Sequence, residues 1–373
     1  MKIVYISNSI IPSRTANSIH VMKMCQAFAD NGYAVVLLAP DRYKEYESSV
    51  DDVYEYYGVR KNFEIRKLPY IYTRILRNFY YAYHVLREMK IINPDIVYGR
   101  DLYGCFFSSY KYSTIFEAHA PMNNFVSKQL LNMMDKNNLY NHTVVISDAL
   151  KNLILKSQNI QLNKIIVAHD GADEVVDFDT KVELQGNINN LKVGYVGSLY
   201  KGKGIEVIEK LSYEKLENID FHIVGGLEKD IKYWKENIQN ENVFFYGFVS
   251  QQNISSYINS FDICLLPNQK TIFTFGAKDN GINISQYTSP LKMFEYMAHK
   301  KAMIVSDLPV LREVLNESNS ILVDCESVNE WIDSIEKLKN SEIRSGLLKK
   351  GHEDFLSNYT WFNRTKKILN ALQ

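Results

Sequence analysis

The chain contains 373 residues, of which 46% are hydrophobic and 23% are charged, and its 43 basic side chains balance 43 acidic ones. This length exceeds what one hydrophobic core organises, so two domains are expected. The balanced charge argues against a general attraction to nucleic acid, and the ordinary charged fraction argues against a disordered chain.

Targeting signals and cysteine spacing indicate the compartment. The sequence turns polar after Ile6, too early for a signal peptide, and no apolar run reaches the length of a membrane span. The cysteines lie far apart without metal-ligand spacing, which indicates a reducing compartment. They are Cys25, Cys105, Cys264 and Cys325. We therefore expect a cytoplasmic protein.

Short apolar runs alternate with amphipathic helical patterns along the first half of the chain, which predicts βα units around a mostly parallel sheet. A helix is expected after the first strand and should end at Gly32. The predicted strands cover residues 2–7, 33–39, 96–98, 114–117, 143–147 and 164–168. Together these elements predict a doubly wound domain over residues 1–175.

The same alternation repeats after residues 173–190, a polar stretch that has no hydrophobic periodicity and is expected to connect two domains. The strands of the second series are predicted at residues 192–199, 220–224, 242–246, 262–266, 302–306 and 320–323. Two helices are expected from residue 342 to the end, with Trp361 opening the last one. The second domain is therefore predicted over residues 190–356.

A glycine-rich turn lies between the strand at 192–199 and the helix expected from Ile205. Glycines such as Gly197 and Gly204 let the backbone approach an anion, the helix start offers N–H groups, and Lys203 adds a positive charge. The turn therefore suits phosphate. A Walker A loop is unlikely because Gly204 stands where that motif needs Ser or Thr, and no acidic residue completes a dinucleotide motif.

A second helix start follows Tyr287. Ser289 and Pro290 suit the first turn of a helix, so a helix is expected from there onward. This helix start is expected to bind the diphosphate from the side opposite the glycine turn. The residues expected to make this contact are Thr288, Ser289, Pro290 and Leu291. Glu295 suits a ribose, since a carboxylate accepts hydrogen bonds from two hydroxyls; alternatively it lies on a solvated helix face.

These motifs resemble those of the retaining glycosyltransferases of family 4, over nearly the whole chain. The resemblance implies an α/β, GT-B fold, with two Rossmann-like domains facing each other across a cleft and residues 357–373 packing back toward the first domain. It implies that Gly197, Lys203 and Gly204 bind the diphosphate of a sugar nucleotide. Glu295 matches the glutamate that binds ribose in the family.

In the second domain the sequence departs from the family pattern at three positions. Ser198 replaces an arginine that binds the diphosphate, and Tyr287 replaces the first of two glutamates spaced eight positions apart. Both positions remain candidate donor contacts. Lys300 replaces a glycine that ends the helix, at a position that favours a positive φ and costs a lysine about 1 kcal/mol, so a different helix end is the expectation there.

In the first domain the resemblance implies that His119 meets the transferred sugar, although a lone histidine is more often structural. The loop after the first strand lacks the glycines of the family, and acceptor contacts are expected from Arg14, Asn17 and His20. The segment 169–173 is expected to be structural.

Strand ends supply two further expectations. Arg100 and Asp101 follow a predicted strand, at the end where open α/β sheets bind ligands. Ser147 or Asp148 is expected to cap the helix that follows its strand.

No metal site is expected, because no Asp-x-Asp motif follows a strand and no histidine pair has ligand spacing. No cofactor is expected either, since the nucleotide-diphosphate sugar is the substrate. Lysine and helix starts would neutralise the leaving diphosphate. For a retaining enzyme the resemblance implies attack on the face from which the diphosphate leaves, so that catalysis depends on positioning and charge stabilisation.

Residues 60–90 form a basic, aromatic-rich stretch that suits an anionic lipid surface, or else a half-buried helix with solvated arginines. Its cations are Arg60, Lys61, Arg66, Lys67, Arg74, Arg77, Arg87 and Lys90, interleaved with Tyr70, Tyr72, Phe79, Tyr80, Tyr81 and Tyr83. Peripheral contact with the inner face of the membrane is expected.

The leading hypothesis is a metal-independent transferase that moves a hexose-type sugar from a UDP- or GDP-sugar to a lipid-linked or polysaccharide acceptor in cell-surface glycan biosynthesis. A second hypothesis is a UDP-sugar 2-epimerase-like enzyme on the same fold, and a third is a non-catalytic nucleotide-binding protein. No nucleic-acid partner is expected.

Overall fold

The computed structural model describes residues 1–73, 76–214, 216–273 and 283–372. The chain divides into two compact units, one formed by residues 1–170 with 361–373 and the other by residues 171–360. Each unit contains a parallel sheet whose strands alternate with helices along the chain. The predicted α/β class with two Rossmann-like, doubly wound domains is confirmed.

The first unit has a seven-stranded sheet of order β3-β2-β1-β4-β5-β6-β7, and its paired strands run parallel. Its strands are β1 Lys2–Ile6, β2 Ala34–Pro40, β3 Glu64–Leu68, β4 Ile96–Gly99, β5 Ser113–Ala118, β6 Tyr140–Val145 and β7 Ile165–Val167. Its helices are α1 Ala16–Asp30, α2 Val53–Tyr56, α3 Arg77–Ile92, α4 Leu102–Ser108, α5 Phe125–Asp135, α6 Asp148–Ser157 and the last helix of the chain, Trp361–Asn370.

Strand β3 is the element of the first sheet that the sequence prediction omitted. It lies at the sheet edge, and its pattern of Glu64, Arg66 and Lys67 is half-exposed rather than apolar. Central parallel strands are buried on both faces and therefore stand out as apolar runs, whereas an edge strand tolerates charges. The hydrophobic pattern consequently identified the six inner and far-edge strands but not this one.

The second unit has a six-stranded parallel sheet of order β10-β9-β8-β11-β12-β13. All six predicted strands are present, as β8 Leu191–Val196, β9 Ile219–Val224, β10 Val243–Gly247, β11 Ile263–Leu266, β12 Ala302–Ser306 and β13 Ile321–Val323. The helices are α7 Ile205–Tyr213, α8 Glu228–Asn237, α9 Gln251–Ser260, α10 Leu291–Ala298, α11 Val328–Leu338 and α12 Ser341–Asn358. Its core includes the fully buried Trp331 and Phe221.

The last helix, α13, begins at Trp361 as predicted and belongs to the first unit. Its attachment includes a hydrogen bond of 2.9 Å from Asn31 Nδ2 to Thr365 Oγ1. The expected segment 357–373 begins too early, because residues 357 and 358 still belong to α12. Among the described residues, no helix combines the length and the apolar composition that a bilayer crossing needs.

Candidate functional site

The glycine turn predicted to bind phosphate joins β8 to α7 in the second unit. Gly197, Gly202 and Gly204 all have positive φ, at 146°, 88° and 93°. A Cβ atom on Gly204 would lie 2.0 Å from the carbonyl oxygen of Pro267, so only glycine fits this close approach of two backbone segments. Because Gly204 is also the N-cap of α7, the helix start carries no side-chain cap. The beginning of α7 therefore has no side-chain cap that would compete with an anion.

Lys203 lies inside this turn, one residue before the helix. Its ammonium lies 5.2 Å from the ring centroid of Tyr200, and burial lowers the pKa of Lys203 to about 8. A bound anion would raise this pKa again, because it favours the charged form of the lysine.

Lys292, on the first turn of α10, approaches the same turn and was not predicted as a site residue. Its Nζ is buried, 3.9 Å from the ring centroid of Tyr195 and 3.7 Å from the position that a Cβ atom on Gly197 would take. Burial lowers the pKa of Lys292 well below its ordinary value, the positive Lys203 lowers it further, and Glu295 opposes both. The structure thus brings the glycine turn, Lys203 and the beginning of α10 together.

The beginning of α10 differs from the prediction. Pro290 is the N-cap and the helix begins at Leu291, so Ser289 lies outside the helix, and no described side chain caps the first turn. Ser289 is buried and Thr288 is half-buried. The first-turn amides of α10 therefore lack a side-chain cap, which is the condition under which a helix start binds an anion.

Ser198 and Tyr287, which replace residues of the family pattern, differ in their exposure. The side chain of Ser198 is exposed, and its carbonyl accepts a 2.7 Å hydrogen bond from the hydroxyl of Tyr195. Tyr287 is 3% exposed, and burial raises the pKa of its hydroxyl. Glu295 is half-buried, three residues beyond Lys292 and hence on the same face of α10.

The different helix end expected at Lys300 is not seen. Lys300 has φ of 52°, which is the left-handed region that the missing glycine would favour, and it follows the C-cap His299. The lysine therefore adopts this less favourable backbone conformation, and α10 still ends at the same place.

A buried carboxylate, Glu117 at the end of β5, organises the candidate site of the first unit. Its Oε1 atom lies 2.9 Å from His119 Nε2, 3.0 Å from His20 Nε2 and 2.6 Å from Arg364 Nη2. Its Oε2 atom accepts a 2.7 Å hydrogen bond from the Tyr98 hydroxyl. Burial raises the pKa of Glu117, but Arg364 and then the two histidines outweigh this effect and hold its pKa well below the ordinary value.

His119, the predicted catalytic residue, is fixed by this carboxylate. Burial and the positive Arg100 lower the pKa of His119 to about 4, so the ring is neutral at pH 7. An ionised carboxylate only accepts hydrogen bonds, so the proton lies on Nε2 and the other ring nitrogen, Nδ1, is an acceptor. The side chain is 20% exposed, which leaves part of the ring accessible.

The expected acceptor contacts are only partly compatible with the structure. His20 is 1% exposed, with Nδ1 3.1 Å from Asp170 and Nε2 against Glu117, so it cannot reach an acceptor and that expectation is wrong. Arg14 is exposed and pairs with Glu47 at 2.6 Å. Asn17 is half-buried on the first turn of α1.

Four potential metal ligands converge in the same unit, although spacing predicted no metal site. One ligand atom each from His20, Glu117, His119 and Asp170 lies within 4.8 Å of the others. The guanidinium of Arg364 is also there, 2.6 Å from Glu117 and 3.9 Å from Asp170. A cation of the chain itself already neutralises these carboxylates. The residues come from separate segments, so sequence spacing could not show the cluster.

The remaining predicted strand ends have defined roles. Asp101 caps α4 by accepting a 2.7 Å hydrogen bond from the Gly104 amide, and burial raises the pKa of Asp101 to about 6. Ser147 caps α6 through the Leu150 amide, as predicted. Nη1 of Arg100 is buried, and within the described part of the chain it has no hydrogen-bond partner.

Half of the basic stretch 60–90 is already paired within the first unit. Arg66 contacts Glu64 at 2.6 Å and Glu88 at 3.0 Å. The other engaged cations are Arg60 with Asp30, Lys61 with Asp52, and Lys67 with the carbonyl of Ile11. Arg77, Arg87 and Lys90 are exposed on α3, and Arg74 lies outside the described residues. The described cations of the stretch outside these pairs therefore all lie on α3.

Both units of the chain match known glycosyltransferases. The two Rossmann-like α/β units are those of a GT-B enzyme. Residues 18–175 match the family model described as Glycosyltransferase Family 4, and residues 190–341 match the model described as Glycosyl transferases group 1. The two matches together span most of the chain. The protein is a glycosyltransferase and belongs to the family 4 type.

Two curated relatives have low identity. The capsular polysaccharide biosynthesis glycosyltransferase CapM of Staphylococcus aureus is 27% identical over 218 residues, 53% of this chain and 52% of CapM, so the chain matches about half of that relative. An uncharacterized glycosyltransferase of Methanocaldococcus jannaschii is 23% identical over 372 residues, 91% of this chain and 89% of the relative.

Solved structures support the fold over the full length. Sucrose-phosphate synthase from Thermosynechococcus elongatus has a TM-score of 0.73 at 14% identity, covering 100% of this chain and 98% of its own. Anabaena HepE in complex with UDP has a TM-score of 0.73 at 12% identity, covering 100% and 99%. At these identities the likeness shows the GT-B fold alone.

Proposed function

We propose that this glycosyltransferase moves a hexose-type sugar from a UDP- or GDP-sugar to a lipid-linked or polysaccharide acceptor in cell-surface glycan biosynthesis, with retention of configuration. The observation that carries the proposal is the shared location of Gly197, Lys203 and the beginning of α10. Glycine backbone, uncapped helix amides and ammonium groups are the elements that bind a diphosphate. CapM, by its name, acts in capsular polysaccharide biosynthesis, which supports the acceptor class.

In the proposed reaction, the donor diphosphate binds the glycine turn and Lys203, and Glu295 accepts hydrogen bonds from the ribose. Leu291 contributes its amide at the uncapped start of α10, beside Thr288 and Ser289. As the sugar–phosphate bond breaks, negative charge develops on the diphosphate, and these donors stabilise it. The acceptor hydroxyl attacks from the face that the diphosphate leaves and passes its proton to the departing phosphate oxygen, so no protein nucleophile is required.

His119 is proposed to position the transferred sugar. Its Nε2 proton is directed to Glu117, so Nδ1 accepts a hydrogen bond from a sugar hydroxyl. The neutral ring keeps this acceptor available at pH 7, because its pKa is lowered to about 4.

We propose that the exposed face of α3 contacts an anionic membrane surface, where the enzyme would meet a lipid-linked acceptor. Phe79 is 52% exposed and Tyr83 is 62% exposed, beside the exposed Arg77, Arg87 and Lys90. Aromatic rings at headgroup level together with cations favour binding to such a surface.

The test is incubation of the protein with a panel of UDP- and GDP-hexoses, with and without lipid extract and with and without a chelator. We expect release of free nucleotide that depends on acceptor and persists in the chelator, and a product that keeps the anomeric configuration by NMR. Conversion of the sugar nucleotide to an isomer without transfer would instead indicate an epimerase. Binding of nucleotide without turnover on any acceptor would indicate a non-catalytic protein.

A further inference from the structure

We propose that Lys292 binds the diphosphate of the nucleotide donor, as a second cation opposite Lys203 on the glycine turn. This inference rests on the proposed function and assigns a role to a residue that the motifs did not identify. Its ligand is the diphosphate of a nucleoside diphosphate or of its sugar ester.

The first argument is the position of the ammonium. Nζ of Lys292 is buried 3.7 Å from the point where a Cβ atom on Gly197 would lie, and Gly197 is the first residue of the turn after β8. The ammonium therefore lies on the side of Gly197 where another residue would carry its side chain. Lys203, from the far end of the same turn, is close enough to lower the pKa of Lys292. The two cations thus belong to different elements, Lys292 to α10 and Lys203 to the glycine turn, and both lie near this turn.

The second argument is the missing partner. Within the described residues, Lys292 Nζ has no hydrogen-bond acceptor, and it lies over the ring of Tyr195 at 3.9 Å from the centroid. A buried ammonium without acceptors is unfavourable, and a second ammonium nearby makes it more so. A bound diphosphate supplies both the acceptors and the negative charge that are lacking.

Lys301 shows what a structural buried lysine looks like in the same unit. Its Nζ donates to the carbonyl oxygens of Asn259 at 3.0 Å and Phe261 at 2.8 Å. These two bonds satisfy the group inside the chain, so Lys301 needs no ligand. Lys292 lacks such bonds, which separates a ligand-binding role from a purely structural one.

Protonation is coupled to binding in this arrangement. Burial lowers the pKa of Lys203 to about 8 and that of Lys292 well below its ordinary value. An anion beside these groups raises both pKa values again. Nucleotide binding at pH 8 should therefore take up protons from the buffer, and removal of Lys292 should decrease the number taken up.

The experiment is calorimetric titration of the full chain with UDP and with GDP at pH 8, in two buffers of different ionisation enthalpy. The variants are Lys292→Met, which keeps the apolar stem over Tyr195, and Lys301→Met as the matched control. We expect Lys292→Met to weaken binding of the accepted nucleotide about ten- to hundredfold and to decrease proton uptake, because it removes a charge-assisted contact. Lys301→Met should alter neither quantity, and thermal unfolding reports whether each variant is folded.

A rescue variant tests the site independently. Ser198 is exposed on the same turn, so an arginine there has room to supply the second cation from another position. Ser198→Arg in the Lys292→Met background should raise the nucleotide affinity at least tenfold above that of Lys292→Met alone. Unchanged affinity and proton uptake in folded Lys292→Met would overturn this inference alone, whereas a wild-type chain that binds neither nucleotide would overturn the proposed function and this inference with it.

Discussion

Arg364 Nη2 lies 2.6 Å from Glu117 Oε1, and this pair joins the last helix of the chain to strand β5 across 247 residues of sequence. Both side chains are almost completely buried, at 1% and 0% exposure. The guanidinium also donates through Nε to the carbonyl of His169 at 2.9 Å. The C-terminal helix is therefore part of the charge network that fixes His119 in the first unit.

Removal of either partner should strongly destabilise the protein. Glu117→Gln or Arg364→Met leaves one buried charge uncompensated, which typically costs about 3–5 kcal/mol in the free energy of unfolding. The double variant should regain part of this loss. Arg312→Met, which breaks an exposed ion pair with Asp307, is the control and should cost less than about 1 kcal/mol. Urea unfolding measures all four, and equal stability of Arg364→Met and Arg312→Met would contradict the network.

The glycine turn permits a matched test of backbone geometry. Gly204→Ala should weaken nucleotide binding and destabilise the second unit, because its φ of 93° and the Pro267 carbonyl at 2.0 Å exclude a Cβ atom. Gly346→Ala, on α12 with nothing within 4 Å of the added atom, should stabilise the chain by about 0.5–1 kcal/mol. Thermal unfolding and nucleotide titration of both variants check this contrast. Full nucleotide affinity in Gly204→Ala would show that the turn does not need its glycine.

The sequence predicted most of the fold because inner parallel strands are buried on both faces and therefore appear as apolar runs. Strand β3 was omitted because an edge strand tolerates Glu64 and Arg66. The glycine turn was readable, since positive φ restricts residue choice at single positions, whereas the lysine at position 300 gives no sign of its positive φ.

The charge network and Lys292 were not readable in the same way. Glu117, His20 and Arg364 are distant along the chain and meet only in the folded unit. Lys292 carried a weak signal, as it lies three residues before Glu295 and thus shares its helix face. Its burial, which makes it unusual, depends on packing against Tyr195.

The lowered pKa of Lys292 predicts a stability effect with a definite pH dependence. Between that lowered pKa and the ordinary value near 10.4, the unfolded chain binds more protons than the folded one, so stability rises with pH across this window. Lys292→Met lacks this dependence and removes an unpaired buried group, so it should be more stable than wild type at pH 7 by about 1–3 kcal/mol. Denaturant unfolding at pH 7 and pH 9 measures the difference, which should narrow at pH 9. A less stable variant at pH 7 would contradict the cost assigned to Lys292.

Membrane contact through α3 predicts a charge-dependent interaction. Changing Arg77, Arg87 and Lys90 to Ser should decrease sedimentation with vesicles that contain anionic lipid, at about 1 kcal/mol for each cation near the surface. The control changes three exposed lysines of α8 to Ser, namely Lys229, Lys232 and Lys235. Equal losses in the two triple variants would indicate nonspecific attraction rather than a defined face.

The account depends most on a diphosphate bound by the second unit, and calorimetric titration of Lys203→Ala and Glu295→Gln with UDP and GDP tests it most directly. Each substitution removes a charge-assisted contact, one to the diphosphate and one to the ribose, so each should weaken binding of the accepted nucleotide by about 1–3 kcal/mol. Wild-type affinity in both folded variants would contradict the site.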